Sequence, residues 1–256
     1  MIPRQYRPEH PPPAVVAHRG ASADAPEHTL TAYQLAIEAG ADGLECDVRL
    51  TRDGHLVCVH DRRVDRTSTG QGPVSSHSLP ELAALDWGRG QPVLPLEQLC
   101  GLVADAGNRV ELAIETKHPT RYGGLVERGV VELLARFGWT GTGAGPARVM
   151  SFSPLAVRRM SALAPEVPTV FLLRRRHRRW HDGDLPGLAR IAGPSLELLR
   201  AEPDYVEAAH RRGAQVHVWT VDRAEDVALC RELGVDAVIT NQPAAVRRLV
   251  HSTGAS

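Results

Sequence analysis

The feature that most constrains the fold is a series of short apolar runs that alternate with segments of helical period along almost the whole chain. Strands separated by helices favour parallel βαβ units, and eight of them suggest closure into a barrel. At 256 residues the chain has the length of one such barrel, which needs about 250. We therefore predict a single (β/α)8 TIM barrel of α/β class. The eight predicted strands are Ala14–His18, Gly43–Leu50, Leu56–His60, Val110–Glu115, Val149–Phe152, Thr169–Leu173, Gln215–Thr220 and Ala237–Thr240.

Two segments depart from the alternating pattern. The Asp53-Gly54 turn between the second and third predicted strands is too short for a crossover helix, so these strands either form a local hairpin or are aligned differently. Residues 62–95, rich in Gly, Ser, Thr and Pro, predict a short insertion after the third strand, with a helix candidate at Leu79–Leu85. The proline-rich residues 1–13 predict a flexible tail, which leaves residues 14–250 as one domain.

The overall charge excludes one class of partner. Thirty basic residues balance thirty acidic ones, so there is no electrostatic case for nucleic-acid binding. No stretch approaches the roughly 18 apolar residues of a membrane span, and the N-terminus lacks the apolar core of a secretory signal. We expect a cytoplasmic protein with a small-molecule substrate and no stable membrane insertion. The sequence leaves open whether it is a monomer or a homodimer.

Three carboxylates interrupt the apolar strands. Glu45 and Asp47 lie two residues apart, so they face the same side of the second strand, and Glu115 ends the fourth. Catalytic residues of such barrels come from the C-terminal ends of the strands, where these three would converge. Converging carboxylates repel one another unless a cation lies between them, and oxygen ligands suit Mg²⁺ or Ca²⁺. We therefore predict a divalent-metal site at Glu45, Asp47 and Glu115.

Histidines and cations accompany these carboxylates. His18 and His60 each end an apolar run, and an imidazole near neutral pKa can act as a general acid or base. Arg19 follows His18, and Lys117 lies on the same face as Glu115; both carry positive charge suited to a phosphate. A metal, two imidazoles and two cations favour phosphoryl chemistry.

Over most of its length the sequence resembles a known family. The runs His18-Arg19-Gly20, Pro26-Glu27-His28-Thr29, Glu45-Cys46-Asp47 and His60-Asp61 are similar to the opening signature of glycerophosphodiester phosphodiesterases. The resemblance continues in order through Asp65-Arg66-Thr67, Glu115-Thr116-Lys117, Ser151-Phe152-Ser153-Pro154 and Val218-Trp219-Thr220-Val221, and spans about residues 15–243.

The resemblance implies a metal-bearing barrel that hydrolyses glycerophosphodiesters to glycerol 3-phosphate and an alcohol. It implies that His18 and His60 are the acid–base pair, and that Arg19 and Lys117 hold the phosphate. Trp219 would line the pocket for the glycerol or the leaving group. Glu45, Asp47 and Glu115 would bind the metal, with Glu27 as an additional candidate ligand.

Two positions depart from the pattern of the resembled family. His28 stands where the family usually has Asn, which puts the details of metal or phosphate binding there in question. Asn241 stands where the family commonly has Asp, and we expect it to cap the last helix rather than to touch substrate. We expect His217, one pleat below Trp219, to be a structural core histidine.

Other functions are possible for the same fold. This chain could instead be a related barrel enzyme that acts on a larger lipid, such as a lysophospholipase D or a phospholipase C-like enzyme. A catalytically silent binding protein would have lost a histidine or a carboxylate, and none of these positions is lost. The basic run 174–179 follows the sixth predicted strand, so it should emerge at the face of the site, where it could steer an anionic substrate or touch a phospholipid surface.

Overall fold

The computed structural model describes residues 10–120, 123–143, 145–175 and 184–252. The predicted tail lies almost wholly outside this range, as do residues 176–179 of the basic run. The described strands are β1 (Ala14–His18), β2 (Gly43–Leu50), β3 (Leu56–Cys58), β4 (Glu111–Thr116), β5 (Ala147–Ser151), β6 (Thr169–Leu173), β7 (Ile191–Pro194), β8 (Gln215–Trp219) and β9 (Ala237–Thr240). The helices are α1 (Leu30–Glu38), α2 (Leu79–Ala83), α3 (Leu96–Asp105), α4 (Leu125–Arg136), α5 (Pro154–Leu163), α6 (Leu196–Ala201), α7 (Asp204–Arg211), α8 (Ala224–Leu233) and α9 (Pro243–His251).

Eight parallel strands close into a barrel, which confirms the predicted (β/α)8 TIM barrel. The strand order is β1-β9-β8-β7-β6-β5-β4-β2, and the pairing of β1 with β2 closes the ring. All of these neighbours are parallel. Because the strands are parallel, their C-terminal ends lie on one face of the barrel, where the connecting loops can build a site.

Eight barrel strands were predicted and eight are present in the described ranges, but the prediction wrongly included β3 and omitted β7. β3 pairs with β2 antiparallel and lies outside the barrel, as the hairpin alternative for the Asp53-Gly54 turn requires. The missing barrel strand is β7, which pairs with both β6 and β8. It has only four residues and contains Gly193 and Pro194, so in the sequence it is indistinguishable from a turn. Its neighbours supply the hydrogen bonds that hold it extended.

The barrel wall separates two apolar layers. In β4 the side chains of Leu112 and Ile114 pack outward among the surrounding helices, and the intervening Ala113 lies in the barrel interior. The interior cluster, which also holds Met150 and Leu172, fills the barrel below the site. The packed wall holds the polar residues at the C-terminal ends of β1, β2 and β4 in fixed positions around the site.

Residues 62–95 form the predicted insertion and carry a small apolar cluster of their own, which includes Leu82 and Trp87. Its helix α2 begins at a capping box, because the Ser78 hydroxyl accepts from the Glu81 N–H and the Glu81 carboxylate accepts from the Ser78 N–H. An isolated antiparallel bridge between Val57 and Pro95 ties the end of the insertion to β3. Across the described ranges, no helix is long and apolar enough to cross a membrane.

Candidate active site

A pocket of about 110 Å³ opens at the C-terminal ends of the barrel strands. One side of it is polar and the other is apolar, so a ligand with a charged group and a carbon-rich arm would fit its two ends. Its polar lining is His18, Arg19, Glu45, His60, Glu115 and Lys117, and the other lining residues are Met150, Phe152, Leu172, Arg174, Trp219, Thr220 and Ile239.

Strand register brings three carboxylates together at the bottom of this pocket. Asp47 of β2 lies opposite Glu115 of β4, and Glu45 lies one pleat earlier on the same face. Each is more than nine-tenths buried, at 2 % exposure for Glu45, 1 % for Asp47 and 7 % for Glu115. One oxygen of each lies within 4.8 Å of the others. The sequence-predicted metal ligands therefore converge, as the spacing along β2 and β4 requires.

Two cations lie beside the carboxylates. Lys117 Nζ is 2.7 Å from both Asp47 Oδ1 and Glu115 Oε1. Arg19 Nε is 3.1 Å from Asp47 Oδ2, and the backbone N–H of Arg19 donates to Glu45 Oε2 at 3.1 Å. Arg19 has a left-handed backbone (φ 58°), which is uncommon for a residue other than glycine and marks a constrained position beside the site.

The protonation of the three carboxylates is uneven. Burial and the charges of Asp47 and Glu115 raise the pKa of Glu45 well above its usual value. Burial and Asp47 raise the pKa of Glu115 to about 7. Burial would also raise the pKa of Asp47, but a hydrogen bond from His28 and the charge of Lys117 outweigh it and lower that pKa. The protein's own cations therefore do not neutralise the whole group, and an all-oxygen donor set fits a hard divalent cation.

His18 is held from one side by Asn241. The imidazole Nδ1 is 2.8 Å from Asn241 Oδ1, and Nε2 faces Glu45 Oε2 at 3.9 Å. Asp222 accepts the Asn241 Nδ2–H at 2.7 Å. Because a carboxylate only accepts, the amide NH₂ must point at Asp222, so Oδ1 points at His18 and Nδ1 carries a proton. Burial and Arg19 lower the pKa of His18 to about 4, which leaves Nε2 unprotonated near neutral pH.

Asn241 thus does not have the predicted helix-capping role. The last helix has Gln242 at its N-cap, without a side-chain capping bond, and Asn241 binds His18 instead. The Ser22 hydroxyl donates to the same Asn241 oxygen at 2.9 Å. Capping was the simpler expectation because Asn is a favoured N-cap residue and Asn241 lies two residues before Pro243, where the helix begins, and nothing local indicates a partner 223 positions away.

His60 has a carboxylate behind it. Its Nδ1 lies 2.7 Å from Asp61 Oδ1, and the Arg66 guanidinium holds the other oxygen of Asp61 at 2.6 Å. The hydrogen bond from Arg66 lowers the pKa of Asp61 to about 2, so the carboxylate is ionised. Arg49 also donates to the His60 carbonyl at 2.7 Å, which fixes the backbone there. Burial lowers the pKa of His60 as well.

Glu27 takes part in a separate ion-pair cluster. Its carboxylate lies 3.0 Å from Arg19 Nη1, and Arg66 donates to both of its oxygens at 2.8 Å. Burial alone would raise the pKa of Glu27, but Arg66 and Arg19 lower it to about 2. In the described part of the chain, the set of mutually close carboxylate oxygens does not include this residue.

His28, at the position where the resembled family has Asn, supports two of the carboxylates. Its Nε2 lies 2.9 Å from Asp47 Oδ2, and its Nδ1 lies 2.8 Å from the Tyr33 hydroxyl. The Tyr33 hydroxyl donates to the Glu45 carbonyl at 3.1 Å. His28 therefore orients Asp47 and, through Tyr33, the strand that carries Glu45.

Trp219 lines the apolar end of the pocket. Its indole N–H donates to the Gly193 carbonyl at 2.8 Å, which fixes the ring. Phe152 stands edge-on to it, with 5.4 Å between the ring centroids. His217 is buried deeper in the barrel, where Arg148 Nη1 lies 3.4 Å from its ring nitrogens. It does not line this pocket, in keeping with the predicted structural role.

Sequence reasoning missed Asp222, and it placed the run that begins at Arg174 at the face of the site without predicting the contact of that residue with the aromatic pair. Asp222 directly follows Val221 of the quoted Trp219 motif, and this proximity was the one signal that could have drawn attention to it. Arg174 opens the basic run, and its place over the aromatic pair depends on the course of β6 and β8. Neither position has a local pattern that predicts its partner.

Comparisons with known proteins agree with this geometry. The model of the glycerophosphoryl diester phosphodiesterase family matches residues 18–245. A probable glycerophosphodiester phosphodiesterase 1 of Mycobacterium tuberculosis is 47% identical over 246 residues, with 90% of each chain covered. A glycerophosphodiester phosphodiesterase of Caldanaerobacter subterraneus is 32% identical, covering 94% of this chain and 98% of its own.

Solved structures show the same architecture. A phosphodiesterase of Oleispira antarctica, determined in complex with the product sn-glycerol-3-phosphate, superposes with a TM-score of 0.85. It is 25% identical, and the match covers 94% of this chain and 97% of that one. The family match over nearly the whole length, together with the close relatives, identifies this chain as a member of the glycerophosphoryl diester phosphodiesterase family.

Proposed function

We propose that this enzyme hydrolyses glycerophosphodiesters to glycerol 3-phosphate and an alcohol with a divalent metal, Mg²⁺ or Ca²⁺, held by Glu45, Asp47 and Glu115. The observation that carries the proposal is the convergence of three buried carboxylate oxygens within 4.8 Å at the base of a pocket that also holds two imidazoles and two cations. The Oleispira relative with glycerol 3-phosphate as its product supports the same product here. When bound, the metal supplies positive charge that polarises the phosphate oxygens.

The chain's own cations would position the phosphate. Arg19 and Lys117 both line the pocket and lie beside the carboxylate group. A phosphodiester entering the polar end would accept hydrogen bonds from both side chains, and charge that develops on its oxygens in the transition state would be stabilised by these preorganised donors. Glu27 fits a supporting role better than that of a metal ligand, because Arg19 and Arg66 occupy its oxygens.

The two histidines have different partners, and this difference suggests their roles. Behind His18 lies the neutral amide of Asn241, so its Nε2 stays unprotonated and can accept a proton from the attacking hydroxyl. Behind His60 lies the ionised Asp61, which opposes the lowering of the His60 pKa by burial and stabilises an imidazolium able to give its proton to the departing alkoxide. The attacking hydroxyl belongs either to water, which gives glycerol 3-phosphate in one step, or to the glycerol moiety, which displaces the alcohol to form a cyclic phosphate that water then opens to glycerol 3-phosphate with the same pair.

The alternatives are less well supported. Glu45, Glu115, both imidazoles and both cations line one pocket, and an oxygen of Asp47 lies within 4.8 Å of the oxygens of Glu45 and Glu115, which argues against a silent binding protein. A pocket of about 110 Å³ suits a small diester better than a lysophospholipid or phosphoinositide. The cytoplasmic location stays a prediction from the sequence.

The test is release of glycerol 3-phosphate from glycerophosphoglycerol and glycerophosphocholine by enzyme stripped with EDTA and then given Mg²⁺ or Ca²⁺. We expect release only with metal, and loss of at least about 100-fold in the His18→Ala and His60→Ala variants. His251→Ala, which removes an exposed histidine at the end of α9, is the matched control and should keep full activity. Activity that survives EDTA, or persists in His18→Ala, would contradict the proposal.

A further inference from the structure

The apolar end of the pocket holds an aromatic corner made by Phe152 and Trp219. The two rings are perpendicular, at 88° with centroids 5.4 Å apart, and the Trp219 hydrogen bond to Gly193 holds the arrangement. Aromatic faces arranged in this way attract ammonium groups, including the quaternary ammonium of choline. Taken alone, the corner would favour a cationic leaving group.

Arg174 already occupies that place. Its guanidinium carbon lies 5.1 Å from the centroid of Phe152 and 5.7 Å from that of Trp219. Within the described ranges, no ion pair joins Arg174 to a carboxylate. Among the described residues no carboxylate neutralises its positive charge, which acts on whatever enters the apolar end of the pocket.

We propose that Arg174, stacked on Phe152 and Trp219, makes this end of the pocket accept a neutral polyol or anionic leaving group and disfavour a quaternary ammonium. The proposal rests on the proposed diesterase function and names its substrate class. A quaternary ammonium near the same rings could not reach the aromatic faces that Arg174 covers, and the positive charge of Arg174 would repel it. A hydroxyl or an anionic oxygen would accept hydrogen bonds from the fork of guanidinium N–H groups.

The position of the phosphate makes this selection act on one arm of the substrate. Arg19, Lys117, Glu45 and Glu115 line the polar end, so a phosphate bound there would send one ester arm toward the aromatic corner, and the proposal takes this arm to be the leaving alcohol. Glycerophosphoglycerol and glycerophosphocholine share the glycerophosphate half and differ only in the leaving alcohol. Their relative kcat/KM therefore isolates what the corner does to that alcohol.

The experiment measures this ratio for the wild type and three variants. Arg174→Met removes the charge and keeps an apolar stem over the rings, and we expect it to shift the ratio about tenfold toward glycerophosphocholine. Arg174→Lys keeps a cation and should retain most of the wild-type preference. Arg175→Met is the matched control, since it removes an equally exposed charge one residue further along that does not line the pocket, and it should leave the ratio unchanged.

Each contrary result has a distinct meaning. If Arg174→Met lowers both activities equally, or leaves the ratio unchanged, Arg174 does not read the leaving alcohol and the proposal is wrong. An equal shift in Arg175→Met would refute it too, since diffuse surface charge would then set the preference. Failure of the diesterase function itself would appear differently, as no glycerol 3-phosphate from either substrate with the wild-type enzyme.

Discussion

Replacing Asn241 with alanine removes the acceptor that holds His18 in one orientation and one tautomer. In the wild type, Asn241 Oδ1 is 2.8 Å from His18 Nδ1, and Asp222 holds the Asn241 amide at 2.7 Å. Without the amide, the imidazole can rotate or carry its proton on Nε2, the nitrogen that faces the pocket. The fraction of molecules in which His18 Nε2 is unprotonated and faces the pocket should therefore fall in the variant.

The expected loss follows from the bonds that are removed. The His18 Nδ1–H would be left without an acceptor in a largely buried position, which costs about 1–3 kcal/mol. If this cost falls on the transition state, kcat falls by about 10–100-fold. Residues that orient a catalytic or ligating histidine from behind typically show losses of the same size. Because Asn241 does not line the pocket, KM should change by less than about threefold.

Ser22→Ala is the matched control, since it deletes a hydroxyl that lies 2.9 Å from the same amide oxygen and 2.8 Å from the His18 carbonyl, and leaves the Asn241–His18 side-chain bond in place. The assay is steady-state release of glycerol 3-phosphate, with melting temperature as a check on folding. We expect kcat of Ser22→Ala within about threefold of the wild type. The reasoning is wrong if Asn241→Ala keeps wild-type kcat, if the change appears only in KM, or if Ser22→Ala loses as much.

Three further predictions concern stability. In urea unfolding, Gly20→Ala should lower the free energy of unfolding by at least about 2 kcal/mol more than Gly54→Ala does. Both glycines have positive φ, but only at Gly20 would the added Cβ meet the backbone, 2.6 Å from the Ala32 carbonyl carbon. Equal losses in the two variants would show that the loop around Gly20 moves to make room. Glu27→Gln should lower the free energy of unfolding at pH 7 by about 1–3 kcal/mol, allowing for solvent screening of the half-exposed partner. Because the pKa of Glu27 is lowered to about 2, this difference is fully present above about pH 4.5 and should be roughly halved by pH 3; a difference that does not change with pH would contradict the ion-pair account. Mg²⁺ should raise the melting temperature of the EDTA-treated wild type and not that of Glu115→Gln, whereas equal shifts would place the ion elsewhere.

The sequence by itself was enough to predict the barrel and to name most of the polar side chains that line its pocket. Apolar runs separated by helical segments predict parallel strands, and the i, i+2 spacing of Glu45 and Asp47 puts both on one face, because side chains alternate along any strand. These are local rules, so they apply before the fold is known. They also predicted that His18 and Glu115 would meet at the C-terminal face, where parallel strands all end.

The tertiary structure decided what local rules leave open. The four residues of β7 are extended because β6 and β8 bind them on both sides, and not through their own propensity. The contacts of Asn241 with His18 and of Arg174 with Trp219 join residues far apart in the chain. A polar side chain has several available partners of equal chemistry, and which one it meets depends on how the loops are placed above the barrel. Closure of the barrel, rather than any sequence motif, set those distances.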